Sequence, residues 1–384
     1  MSTPSKDISS YAAGPLLFTG LIGVFMVPYE IAALMDGWGL SAATAGLLGM
    51  VELASMSLSS MIMPAARRIP LDRMAVMGLA VAVAGEASTF FLSQIGALVS
   101  ARALTGIGSG MVLAATSTSI AVAPNPNRVM GLGLTIANLL FFAVFLLTPR
   151  VLLAFGPRGI FISAALYVAV SAAALPHMSC LPIGAPPPGE ERGRTALDKS
   201  KVAALAAGLL SLNIGLGAMW SFAERIGRGI GLGLQQTGSV LAACSIAMIA
   251  GSATAGLMGN RFGDRRPLLV GCIVCGVACY GTTIATGVAS YAAGLLIFNF
   301  CYLLIGPFAL AGVPSTLDPS GRLAAAANGL MWLAYSAGVA AGGFIADRAS
   351  VKVIGAFAFC GCVVAAGTFA CAARPHSGTG NPCR

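Results

Sequence analysis

The chain has 384 residues, of which 57% are hydrophobic and 9% charged, and it carries a net charge of +9. Soluble domains have about 25% charged residues, so this composition excludes a string of soluble domains and points to one membrane-embedded bundle. The surplus cations lie in loops on one face, which makes them a topology signal and excludes a nucleic-acid partner.

Residues 1–10 are polar, and Lys6 precedes the first apolar run. A cleaved signal peptide would have a shorter run, and Glu30 and Asp36 stand where cleavage would fall. The segment therefore reads as an uncleaved first span. A hydrocarbon core of ~30 Å takes ~20 helical residues to cross. Runs of that length recur at 13–35, 43–65, 74–94, 97–119, 128–149 and 157–176. Residues 178–201 break the pattern with Pro182, three prolines at 186–188 and the run Glu190-Glu191-Arg192-Gly193-Arg194. This is a polar linker. Further runs follow at 202–223, 237–259, 267–287, 290–313, 325–345 and 351–373. The expected fold is an all-α membrane protein with twelve transmembrane helices in two pseudo-symmetric six-helix bundles. These bundles span 1–177 and 202–384, joined by the 178–201 linker.

An even number of spans puts both termini on one side. Of the 22 Lys and Arg, that side takes Lys6, Arg67, Arg68, Arg73, Arg128, Arg192, Arg194, Lys199, Lys201, Arg261, Arg265, Arg266, Arg322, Arg374 and Arg384. The other side takes Arg150, Arg158, Arg225, Arg228, Arg348 and Lys352, and Arg102 is left inside the membrane. The cation-rich side is cytoplasmic. Both termini and the linker are thus expected in the cytoplasm of a cell whose plasma membrane, bacterial by expectation, holds the protein as a monomer. Eight of the ten cysteines fall in spans, where they act as small apolar residues. Cys272, Cys275 and Cys279 share a helical face. A soft-metal site is conceivable there, but no His lies nearby and helix packing is the preferred reading.

The halves repeat. Gly37-Trp38-Gly39-Leu40 before Gly46 matches Gly229-Ile230-Gly231-Leu232 before Gly238, each between the first two spans of its half. Pro126-Asn127-Arg128 opens the fifth span, and Pro319-Ser320-Gly321-Arg322 opens the eleventh. A six-plus-six repeat implies a site between the halves near mid-membrane. After the eighth span the loop reads Gly256-Leu-Met-Gly-Asn260-Arg261-Phe-Gly263-Asp-Arg265-Arg266, and the fourth span carries Arg102-Ala-Leu-Thr-Gly106-Ile-Gly108-Ser-Gly110. These segments resemble the cytoplasmic loop motif and the fourth-span motif of the major facilitator superfamily of secondary transporters. The resemblance covers essentially the whole chain. It implies alternating access of a small-molecule substrate to a midplane site. The first copy of the loop motif departs from the family, with Arg67 at the acidic position and Pro70 for the second Gly. This departure weakens the usual lock between the second and eleventh spans. The fifth span also lacks the glycine–proline pattern of many drug/proton antiporters.

A charged side chain at the bilayer centre costs ~2.5–3.5 kcal/mol, so an ionisable residue there is a functional-site hypothesis. At 1.5 Å per residue, Glu30, Glu52, Glu86 and Arg102 lie ~8, ~15, ~13 and ~9 Å beneath the outer surface of the first half. Arg102 can pair with one carboxylate; the others are candidates for carrying a proton. The alternative is a structural Glu86–Arg102 clamp with Glu30 and Glu52 facing water in an outward cavity. The peripheral place of third spans in this family ranks Glu86 below the other two. Asn213, Gly217, Trp220 and Glu224 share one face of the seventh span, which suits either substrate contact or a membrane-interface helix end. Asn138, Phe141, Phe142, Asn299, Tyr302, Asn328, Trp332 and Tyr335 are further lining candidates, with buried Asn equally able to glue helices.

Met50, Met56, Met61 and Met63 do not share a face, which argues against copper. Gly106-Ile-Gly108-Ser-Gly110 follows no strand and is not a dinucleotide loop. His177 and His376 lack a second ligand at metal spacing. No enzyme, metal or cofactor is expected. The leading expectation is a proton-coupled secondary transporter of a neutral, cationic or monocarboxylate solute with some apolar surface. An uncoupled facilitator and a transport-dead binding or assembly protein are the alternatives.

Overall fold

The computed structural model describes residues 10–63, 69–178, 198–259, 261–318 and 322–373. The first half contains α1 (Ser10–Trp38), α2 (Ala42–Ile62), α3 (Leu71–Phe91), α4 (Ile95–Ala121), α5 (Pro126–Phe155) and α6 (Gly159–Val170), the last continued by a 3₁₀ turn over Ser171–His177. The second half contains α7 (Lys199–Ser221), the short α8 (Ala223–Gly229), α9 (Leu234–Met258), α10 (Arg265–Thr283), α11 (Val288–Pro307), a π-turn leading into α12 (Val313–Leu317), α13 (Arg322–Arg348) and α14 (Val351–Ala372). Among the described residues, 12 helices are long and apolar enough to cross a membrane. The expected spans are all present; those predicted at 13–35, 97–119, 128–149, 290–313 and 325–345 extend beyond both ends, and most of the others begin a few residues early and end a few residues early.

Local chemistry sets the boundaries. Ser41 caps α2 by accepting from Thr44 N at 3.2 Å. Asp198 caps α7 by accepting from Ser200 N at 3.1 Å and Lys201 N at 3.3 Å. The repeated glycine motif is a turn used twice. Gly39 and Gly231 take φ values of 67° and 85° between the first two spans of each half, a conformation that a side chain disfavours. Large apolar residues such as Leu153, Leu257 and Phe91 point outward, as a lipid-facing belt requires.

Small residues bring the helices together. Gly106 and Gly110 of α4 lie against the backbone oxygens of Glu52 and Met56 on α2, and Gly108 lies against Gly78 and Ala82 on α3. The glycine triplet of the fourth span therefore lets α4 close on both neighbours at once. Cys272, Cys275 and Cys279 are buried in α10. The described residues that could share a metal ion are Glu30, Glu52 and Glu86, not these cysteines.

The halves meet mainly through α2 with α13 and α5 with α9. Gly46 abuts Val339 O and Gly343, while Gly238 abuts Phe145 O and Pro149. Arg67, on which the expected departure in the loop motif turns, lies outside the described residues, as do Asn260 and most of the linker. Near the termini-bearing end, α2 and α13 are joined by Ser57 Oγ donating to Gly329 O at 3.2 Å.

Candidate functional site

Arg102 is the centre of the first half. Its side chain is fully buried. Nη1 donates to Glu52 at 2.9 Å and reaches Glu30 at 3.5 Å. Nη2 donates to Glu86 at 2.7 Å, Thr89 at 3.2 Å and Thr105 at 3.1 Å. The guanidinium also lies over the Phe161 ring, 4.8 Å from its centroid, a favourable cation–π placement. Each carboxyl group gives one oxygen to the arginine and leaves Oε1 buried with no hydrogen-bond partner. One oxygen from each of the three lies within 4.8 Å of the others.

All four residues predicted for proton handling are thus brought together. Glu86 belongs with them because Gly85 packs against Thr105 and Ala101 O, drawing α3 onto α4. Glu30 and Glu52 are 2% and 1% exposed. The alternative in which these two face water does not hold in this conformation, because the end away from the termini is closed over them.

A cavity of about 840 Å³ lies between the halves. Its lining runs from Trp220, in the last turn of α7, and Phe298, midway along α11, to Ser60, Met61 and Ala311 towards the termini-bearing end. Of the predicted lining residues, Asn138, Trp220, Asn299, Tyr302, Asn328, Trp332 and Tyr335 are there. Phe141 is buried behind the wall, stacked on Phe25 with centroids 3.9 Å apart. Phe142 does not line the cavity. Asn213 and Glu224 are not there either, which corrects the predicted polar face of the seventh span. That face packs helices: Gly217 meets Tyr335 O on α13, and Asn213 is buried with its amide donating to Leu209 O at 2.9 Å.

The helix breaks at Phe222, so Glu224 sits on α8 rather than ending the seventh span. There it belongs to a charged latch at the end away from the termini. Arg225 and Arg228 of α8 bond Asp36 of α1 at 2.6 Å and 2.7 Å. Glu224 lies against Arg228 Nε. Burial pushes the Glu224 carboxyl above the usual carboxylate range, although Arg228 and Arg225 pull it down. On the other flank, Asp347 at the end of α13 accepts from Ala42 N and Ala43 N at 2.9 Å each, neutralising the positive end of α2. The roof below is Trp220, whose Nε1 donates to Val24 O at 3.0 Å and whose ring meets Phe145 at 6.2 Å.

Sequence reasoning missed the latch, yet a signal was present. Asp36 and Arg228 are 192 residues apart, the offset of the glycine repeat. Equivalent positions in two pseudo-symmetric halves face each other across the axis, and here they carry opposite charges. The pairs are partly exposed, so each contributes about 1 kcal/mol or less. Removing either latch should shift this closed end towards open by up to about fivefold. Spin labels at Ser93 and Gln235, on turns of the two halves at the end away from the termini, should show a longer distance component in Asp36→Asn and Asp347→Asn. An unchanged distance distribution would assign these contacts no gating role.

The remaining motif residues are exposed: Gly256 in the last turn of α9, Arg261 and Gly263 in the loop after it, where Gly263 takes a φ of 62° to turn the chain, and Arg265 and Arg266 at the start of α10. They lie apart from both the cavity and the acidic cluster.

A family model described as the Major Facilitator Superfamily matches residues 13–343. Among solved structures, a bacterial homolog of the human lysosomal transporter Spinster, in an inward-facing and unoccupied conformation, is similar in fold. Its TM-score is 0.67 at 13% identity, covering 97% of this chain and 96% of that chain. No curated protein gave a significant match. With twelve spans, two repeated halves, a cavity between them and a family match over residues 13–343, the chain belongs to the Major Facilitator Superfamily of secondary transporters.

Proposed function

We propose that the chain moves a small organic solute by alternating access, coupled to protons through Glu30, Glu52, Glu86 and Arg102. The observation that supports this most is the charge count in a closed chamber. Three carboxyl groups share one guanidinium, every side chain at 2% exposure or less. Ionising all three leaves two uncompensated negative charges where one costs ~2.5–3.5 kcal/mol. At least one carboxyl is therefore protonated while the outer end is closed. Glu52 and Glu86 hold the two terminal nitrogens at 2.9 Å and 2.7 Å, whereas Glu30 stands at 3.5 Å. Glu30 is the least held and is assigned as the carrier. Opening of the outer end admits water, which accepts the proton.

Helix α1 supplies the mechanical link. It carries Glu30, the cavity-wall residues Leu21, Val24 and Phe25, and the latch residue Asp36. Gly23 on the same helix leaves room for Glu52 Oε1, which a Cβ would displace. Solute in the cavity and protons in the cluster thus press on one helix from two sides. Flux into proteoliposomes with and without an imposed pH gradient tests this reading. Accumulation that follows the gradient supports it. Gradient-insensitive movement selects an uncoupled facilitator, and no movement across a broad solute panel selects a binding or assembly role.

The termini-bearing side holds 15 of the 22 cations, so it is cytoplasmic, and the cavity opens inward in this conformation. In a Cys-less background, Ser93→Cys should react with an impermeant maleimide added to intact cells, and Lys199→Cys should not. The reverse pattern would overturn the orientation.

A further inference from the structure

The loop motif after α9 serves neither the cavity nor the acidic cluster, yet it stands over a second hollow. A groove of about 320 Å³ opens on the second half between the end of α9, α10 and α11. Phe262, Val270 and Val274 wall it on one side, and Phe300 and Leu304 of α11 on the other. Gly271, which packs α10 against Ile305 of α11, and Cys301 also line it, and their small size leaves the hollow open. Phe262, Val270 and Val274 are exposed, so the groove faces lipid and not the space between the halves. The one charged side chain among the described residues of the groove is Arg266, in the first turn of α10. Val274 lies eight residues further along the helix, about 12 Å deeper into the membrane. Arg261 and Arg265 flank Arg266 in the sequence, and all three are exposed. None of them pairs with a carboxylate among the described residues. The acid of this loop, Asp264, lies against Gly312 and does not line the groove.

We propose that this groove binds one anionic phospholipid from the leaflet at the termini-bearing end. Its phosphate sits on Arg266, with Arg261 and Arg265 beside it, and one acyl chain runs between α10 and α11. A guanidinium forks onto phosphate oxygens, and a basic mouth above an apolar slot matches the two ends of such a lipid. Charge sets the choice. A tail gains no hydrophobic energy on leaving other tails for the groove, so the wall contributes close packing alone. Each arginine favours an anionic lipid about fivefold, about 1 kcal/mol. Phosphatidylcholine also carries a phosphate, but its own ammonium cancels the charge. On its other face α11 turns Asn299, Tyr302 and Leu303 to the solute cavity, so the bound chain backs one wall of that cavity.

The purified full chain in detergent is offered equal amounts of dioleoyl phosphatidylglycerol and dioleoyl phosphatidylcholine, and native mass spectrometry counts the lipids it retains. One phosphatidylglycerol should be retained about tenfold more often than phosphatidylcholine, about 1.4 kcal/mol. In Arg265→Gln/Arg266→Gln, matched to wild type in lipid-free melting temperature, the ratio should fall to about two or below. Arg128→Gln removes an exposed arginine at the same end of the first half and should leave the ratio unchanged. Val270→Trp, which puts a ring into the groove, should lower retention of both lipids. Glycerol phosphate in excess should not displace the lipid, because it has the phosphate without the chain. The proposal is overturned if the wild-type ratio is near one, or if it survives in the folded double variant. An equal loss in Arg128→Gln would reduce the effect to general surface charge, displacement by glycerol phosphate would make the ligand a soluble phosphate, and unchanged retention in Val270→Trp would empty the groove; each of these also overturns it.

Discussion

Glu30→Gln should abolish gradient-driven accumulation while sparing solute exchange. One proton moved per solute across a gradient of one pH unit can drive about tenfold accumulation. The amide cannot exchange a proton, so accumulation should fall to simple equilibration. Exchange of solute across the membrane needs no net proton release and should continue. The measurement uses proteoliposomes and a solute selected by ligand-induced thermal shift. Glu52→Gln should reduce accumulation less steeply if Glu30 is the carrier, since Glu52 stays on Arg102 Nη1 at 2.9 Å. Full gradient-driven transport in both variants would remove the coupling role from this pair.

Arg102→Met should be the most destabilising single change in the first half. It leaves three buried carboxyl groups around an apolar side chain. Breaking a buried pair by removing one partner costs about 3–5 kcal/mol, and here one guanidinium serves three partners. The loss should be larger at alkaline than at acidic pH, because neutral carboxyls need no counter-charge. Thermal unfolding in detergent across that range measures it. Adding Glu52→Gln and Glu86→Gln to Arg102→Met should recover much of the loss by removing the stranded charges. Equal melting temperatures for Arg102→Met and wild type at alkaline pH would show that the guanidinium does not balance the cluster.

The fold was largely legible because a membrane span is a crude signal: length and apolarity suffice, and the glycine repeat marks the halves. The acidic cluster was legible for a related reason. Ionisable residues are so costly in hydrocarbon that Glu30, Glu52, Glu86 and Arg102 stood out singly, and similar depth hinted at their meeting. What depth alone could not give was rotation about each helix axis. The low rank of Glu86 came from the usual place of a third span, whereas Gly85 and the α4 glycines decide how close α3 comes. The same ambiguity misplaced Asn213, whose face packs against other helices. Glu224 was misread because the break at Phe222 leaves no Pro or Gly in the sequence to mark it. Nothing in the sequence singles out Asp347, and Asp36 shows its partner only through the 192-residue offset to Arg228.

The central claim is that a buried carboxyl in this cluster gains and loses a proton, and infrared difference spectroscopy across a pH jump reports that event without any substrate. The purified protein should show a protonated-carboxyl C=O band that titrates and disappears in Glu30→Gln, while Glu224→Gln leaves it in place. A spectrum with no titrating buried-carboxyl band, or a band that Glu30→Gln leaves untouched, would contradict the proposed coupling.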